Sequence, residues 1–64
     1  MATITNAIAQ FTKKNLGMNG VCAADQVNEK GEDCIKVSIA NLAKHKDRFP
    51  KAFLGHRLIL VEFL

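Results

Sequence analysis

Ile4, Ala7, Ile8 and Phe11 recur at three- and four-residue spacing and make one apolar stripe. That period predicts an amphipathic helix with one face on a core. Thr3 or Thr5 is placed to cap it, and the helix is expected to run to about Leu16. Lys13 and Lys14 fall in the last turn, where the helix dipole favours cations. Gly17 follows as a left-handed C-cap, with Gly20 in the loop behind it. Leu16 and Met18 are expected to close the end of the helix against the core.

The period then changes to two. Val21 to Val27 reads as a strand, and Cys34 to Ala40 as a clearer one. In the latter, Ile35, Val37 and Ile39 alternate with Cys34, Lys36 and Ser38. Glu29-Lys30-Gly31 fits a three-residue hairpin loop with glycine at the left-handed position. That loop sets Asn28 opposite Glu32, Ala23 opposite Val37 and Val21 opposite Ile39. It also sets Asp25 against Ile35, a mismatch that a bulge or a strand end would relieve.

Asn41 to Arg48 is ambiguous between a short helix capped by Asn41 and an exposed segment. Phe49 to Gly55 reads as one helical turn, with Pro50 at its start and Gly55 past its end. Arg57 to Phe63 is the last strand. Its Leu58-Ile59-Leu60-Val61 run is apolar on both faces, which suits a strand covered on both sides.

The chain therefore predicts one small α+β domain over residues 1–64. The expected architecture is a two-layer sandwich of order αββ(α)β. An N-terminal helix and a short second helix cover one face of a three-stranded, mostly antiparallel sheet. The expected core is Ile4, Ile8, Phe11, Val21, Ile35, Val37, Ile39, Phe53, Ile59 and Val61.

Composition adds limits. With 64 residues and 48% hydrophobic content, a domain buries only about 60% of the surface its unfolded chain exposes. Met1–Gln10 has neither a basic start nor a long apolar run, so the expectation is a cytoplasmic protein with no membrane association. Charge is unevenly placed. Asp25, Glu29, Glu32 and Asp33 against Lys30 give residues 25–33 a net charge of −3. Lys44, Lys46, Arg48, Lys51 and Arg57 against Asp47 give residues 44–57 a net charge of +4. The ordinary reading of both stretches is a solvated surface.

Little in the sequence suggests reaction chemistry. In the hairpin register Cys22 falls opposite Ser38 and Cys34 opposite Gln26. The thiols are then about 13 Å apart at a rise of about 3.3 Å per residue, too far for a disulfide. Two free cysteines are expected, with an intermolecular disulfide or a reactive thiol at Cys34 as the minor alternatives. Cys22, Cys34, His45 and His56 lie 12, 11 and 11 residues apart, without the close pairs of a structural zinc site. There is no nucleophile motif and no glycine-rich phosphate loop. No catalytic residue, metal or cofactor is assigned, and a non-enzymatic protein is expected.

One further pattern runs through the predicted elements. It comprises Asn19-Gly20-Val21, Gly31-Glu32, Cys34-Ile35-Lys36-Val37-Ser38-Ile39, Phe49-Pro50-Lys51-Ala52-Phe53-Leu54-Gly55-His56 and Leu58-Ile59-Leu60-Val61. Over residues 19–62 this resembles the small domain that precedes the catalytic part of some bacterial trypsin-like peptidases. The resemblance implies an αββαβ fold and an accessory, non-enzymatic role.

The fold class carries its own functional expectation. With helices on one sheet face, the other face is expected to expose Cys22, Ala24, Cys34, Leu58 and Leu60, extended by Leu64. An apolar patch of that kind predicts an interface, so a homodimer or higher oligomer, or a protein partner, is expected. The alternative is a small nucleic-acid-binding protein whose Lys44, Lys46, Arg48, Lys51 and Arg57 contact phosphates.

Overall fold

A computed structural model of the chain describes residues 3–63. The protein is α+β, with one principal helix packed on a four-stranded mixed sheet. Helix α1 spans Ile4–Asn15, and its cap is Thr3, whose hydroxyl accepts from the Asn6 amide at 3.2 Å. Ala7 and Phe11 are buried, with Ile4 and Ile8 packed beside them, so the predicted stripe is the core face. Leu16 and Met18 differ from expectation. They are 54% and 57% exposed, because the chain leaves the core as soon as α1 ends.

Strands β1 (Val21–Glu29) and β2 (Glu32–Ile39) form an antiparallel hairpin. Its turn is two residues, not three. Lys30 and Gly31 both take positive φ, 53° and 82°, the two-residue turn whose twist matches the flanking strands. Glu29 therefore opposes Glu32, and the register is displaced by one from the expected pairing. Ala24, not Ala23, faces Val37, and Asp25 meets Lys36 instead of Ile35. The ladder is corrected at Cys22, where a bulge lets Val21 still pair with Ile39. The first half of β1 thus places Val21 and Ala24 toward the helix, while Gln26 and Asn28 at the hairpin end stay exposed.

The chain next makes a short helix α2 (Leu42–His45) and a single turn of 3₁₀ helix, Lys46–Arg48. Asn41 does not cap α2 with its side chain. The Glu62 carboxylate does so, accepting the Asn41 amide at 2.9 Å and the Leu42 amide at 3.2 Å. The segment read as a helical turn is extended. Ala52–Phe53 form strand β3, which turns at Leu54-Gly55 and pairs antiparallel with the start of β4 (His56–Glu62). Leu54 and Gly55 both have positive φ, so this is a second two-residue hairpin turn and leaves no room for a helix.

The sheet order is β1-β2-β4-β3. β4 runs parallel to β2, with Ile35 beside Leu58, Val37 beside Leu60 and Ile39 beside Glu62. This register sets the faces of β4. Leu58 and Leu60 lie with the buried row of β2, under the helix. Ile59 and Val61, expected in the core, fall beside Lys36 and Ser38 on the opposite face.

Phe11 sits at the centre of the helix layer. It stacks edge-on against Phe53 at 5.4 Å and lies 6.4 Å from Phe49. Burial of such a ring contributes about 2–3 kcal/mol, and the edge-to-face pair about 1 kcal/mol more. Phe49, Phe53 and Leu42 thereby bind the crossover segment to α1 on one face of the sheet.

Gly20 holds the junction of β1 to this layer. Its φ is +79°, and a Cβ there would strike the Ala40 carbonyl oxygen and the His45 ring. The close approach is used by the Ala40 amide, which donates to the Gly20 carbonyl at 2.8 Å.

Candidate functional site

α1 and the crossover pack on the face that carries Ile35, Val37 and Ile39. The other face carries no helix. Alternation assigns it three cross-strand rows. Val27 lies beside Cys34, Asp25 beside Lys36 and Ile59, and Ala23 beside Ser38 and Val61. The Phe63 amide donates to the Ile39 carbonyl at 2.9 Å and continues the ladder past Glu62. Period two then puts Phe63, 52% exposed, in line with Ile59 and Val61. The result is an apolar stripe along β4, flanked by the Asp25–Lys36 row.

The expected interface residues are placed differently. Leu58 is buried, and Leu60 and Ala24 pack against the core; the one-residue register change and the parallel pairing put all three under the helix. Cys22 is exposed, in the bulge. Leu64 lies outside the described residues. Ile59, Val61 and Phe63 occupy the open face in their place. The sequence carried this signal only as a run apolar at both parities.

Cys34 is on the open face yet fully buried. Its sulfur approaches the Glu32 carboxylate at 3.6 Å, and the Arg57 guanidinium donates to it at 3.9 Å. Arg57 also pairs loosely with Glu32 at 3.9 Å. The Cys34 sulfur, then Glu32 and Glu29, hold the Arg57 pKa above its usual value. Arg57 thus lies over the thiol and faces two like-charged carboxylates at the hairpin end. It is separated from the basic segment with which it was grouped. Lys44, Lys46, Arg48 and Lys51 are exposed on the other layer.

Both cysteines are free thiols. Cys22 and His45 lie near Gly20 at one end of the sheet. Cys34 lies at the other end with His56, whose Nδ1 is 3.4 Å from the Asp33 carbonyl. The four residues weighed for zinc are therefore not brought together. Among the described residues no cluster of three or more His, Cys, Asp or Glu side chains forms a metal site. No helix among them is long and apolar enough to cross a membrane.

The two sides of the sheet end differently. β1 is an edge strand blunted by its bulge and by Asp25 and Glu29. β3 covers the outer edge of β4 only at His56 and Arg57, with one further bond from the Leu58 amide to the Lys51 carbonyl. Past Leu58, no strand pairs with that edge among the described residues. The side with the least protected edge is also the side with the apolar stripe.

Comparison with known proteins found no matching family model, no matching curated protein and no matching solved structure.

Proposed function

We propose that this chain is a non-enzymatic protein-interaction module that assembles with a second copy of itself through the open face of its sheet. The observation that carries this reading is the stripe of Ile59, Val61 and Phe63 on a face without a helix. Apolar side chains aligned on one strand gain burial from a second layer, and a 64-residue chain has little core of its own.

The flanking charges support a symmetric partner. Asp25 and Lys36 are cross-strand neighbours. A two-fold axis through that row sets each carboxylate against the other copy's ammonium group, which makes the face self-complementary. The accessory role implied by the resemblance to the domain of bacterial trypsin-like peptidases is compatible with such a surface.

Sedimentation velocity from low to high micromolar concentration tests the proposal. The expected result is a dimer that Ile59→Lys/Val61→Lys converts to a monomer with an unchanged circular dichroism spectrum. A wild-type chain that stays monomeric at high micromolar concentration overturns it.

A further inference from the structure

We propose that Lys13, Lys14, Lys44, Lys46, Arg48 and Lys51 form one cationic surface on the helix layer that binds the phosphate backbone of a nucleic acid. These residues come from two stretches joined by the aromatic contacts of the core. Phe11 of α1 meets Phe49 and Phe53, and the Lys14 ammonium lies 5.9 Å from the centre of the Phe53 ring. Lys14, in the last turn of α1, is thereby set beside Phe53, two residues along the chain from Lys51. Leu42 packs inward, so the polar residues after it, Lys44 and Lys46, are left in solvent.

All six cations are exposed. Asp47 is the acidic residue within their two stretches, and none of the six is paired with a carboxylate among the described residues. The remaining carboxylates are engaged or remote. Glu62 accepts the first amides of α2, Glu32 is paired with Arg57, and Asp33 accepts from Gln26 and Asn28 at the hairpin end.

The shape of the surface argues for a polymer. No cavity forms among the described residues to enclose a small anion. In a molecule of 30 × 24 × 18 Å these exposed cations are instead spread along the surface. A phosphodiester backbone offers a regular row of charges that such a surface can meet at several points, releasing counterions at each. The surface lies opposite the apolar stripe, so this inference does not rest on self-association.

Fluorescence anisotropy with 20-nucleotide DNA and RNA, single-stranded and duplex, tests the proposal across salt concentrations. Expected is binding whose log affinity falls with log salt at a slope of about −3 to −5. Lys13→Gln/Lys14→Gln should lower that slope by about 2 and weaken binding roughly tenfold to a hundredfold at 0.1 M salt. Lys30→Gln/Arg57→Gln removes the same charge from the hairpin end of the sheet, outside both proposed surfaces, and should change affinity by less than about twofold. The DNA and RNA arms decide which backbone is preferred.

No binding at low salt overturns the proposal. Equal losses in the two double variants overturn it in favour of a diffuse net-charge effect. No loss in the α1 variant overturns the joining of the two stretches. Equal binding to polyglutamate overturns the nucleic acid in favour of an acidic protein. Each variant must keep the wild-type sedimentation behaviour and circular dichroism spectrum, which separates this test from that of the dimer.

Discussion

Leu58→Ala and Ile59→Ala test the faces of β4 directly, because the two residues are adjacent in sequence and opposite in direction. Leu58 is 8% exposed and belongs to the core beside Ile35. Its truncation removes buried methyl groups and leaves a cavity under α1, at a cost of about 3 kcal/mol. Ile59 is half-buried on the face without a helix, where nothing in the monomer closes over it. Its truncation should cost the monomer about 1 kcal/mol. At about 0.05–0.15 kcal/mol per residue, a domain of 64 residues has only about 3–10 kcal/mol to lose. Leu58→Ala should therefore lower Tm by about 12–24 °C, and Ile59→Ala by about 4–8 °C. Urea and thermal melts on dilute protein read both values. At high protein concentration, wild type should gain stability that Ile59→Ala does not. Equal losses in dilute solution, or a larger loss for Ile59→Ala, would refute the parallel register of β4 on β2. They would also remove the apolar stripe from the open face.

The other predictions concern single contacts. Gly20→Ala should destabilise by about 2 kcal/mol or more, since it combines a left-handed backbone with a collision at Ala40; a melt within about 0.5 kcal/mol of wild type would contradict that packing. Glu62→Ala should cost about 1 kcal/mol and speed hydrogen exchange at the Leu42 amide, and unchanged exchange would mean that Glu62 does not cap α2. Native alkylation should label Cys22 quickly and Cys34 slowly. Arg57→Ala should accelerate labelling at Cys34 alone, whereas equal rates at both thiols in wild type would contradict the burial of Cys34.

The helix and β2 were legible because each has a single period. Ile4, Ala7, Ile8 and Phe11 admit only one helical face, and Ile35, Val37 and Ile39 only one strand face. β4 was not legible in the same way. Leu58 to Val61 is apolar at every position, so either parity satisfies the pattern, and pairing with β2 chooses between them. The candidate interface followed that choice, which is why Leu58 and Leu60 exchanged places with Ile59 and Val61. The hairpin turn escaped for a different reason. Lys30 and Leu54 adopt a left-handed backbone that their side chains do not advertise. Reading only the glycines gives one turn a residue too many and makes the other a helix. The basic segment was visible as charge, but its division was not. Arg57 sits on a strand beside Cys34, while Lys13 and Lys14 join the segment only through the packing of Phe53.

The parallel pairing of β2 with β4 also bears on the order of folding. The β1–β2 hairpin closes through two residues, and such hairpins form in about 1–10 μs. β4 must instead return across the whole stretch 40–55 before it can align with β2. Loop closure of that length precedes the contacts that reward it, which makes the step slow. Until it is complete, Ile35, Val37 and Ile39 lack their neighbours Leu58 and Leu60, and one side of β2 is an unpaired template. The C-terminal strand therefore acts as a latch. It covers the open edge of β2 in the same movement that sets Ile59, Val61 and Phe63 on one face, so that only a finished fold displays the stripe proposed for self-association.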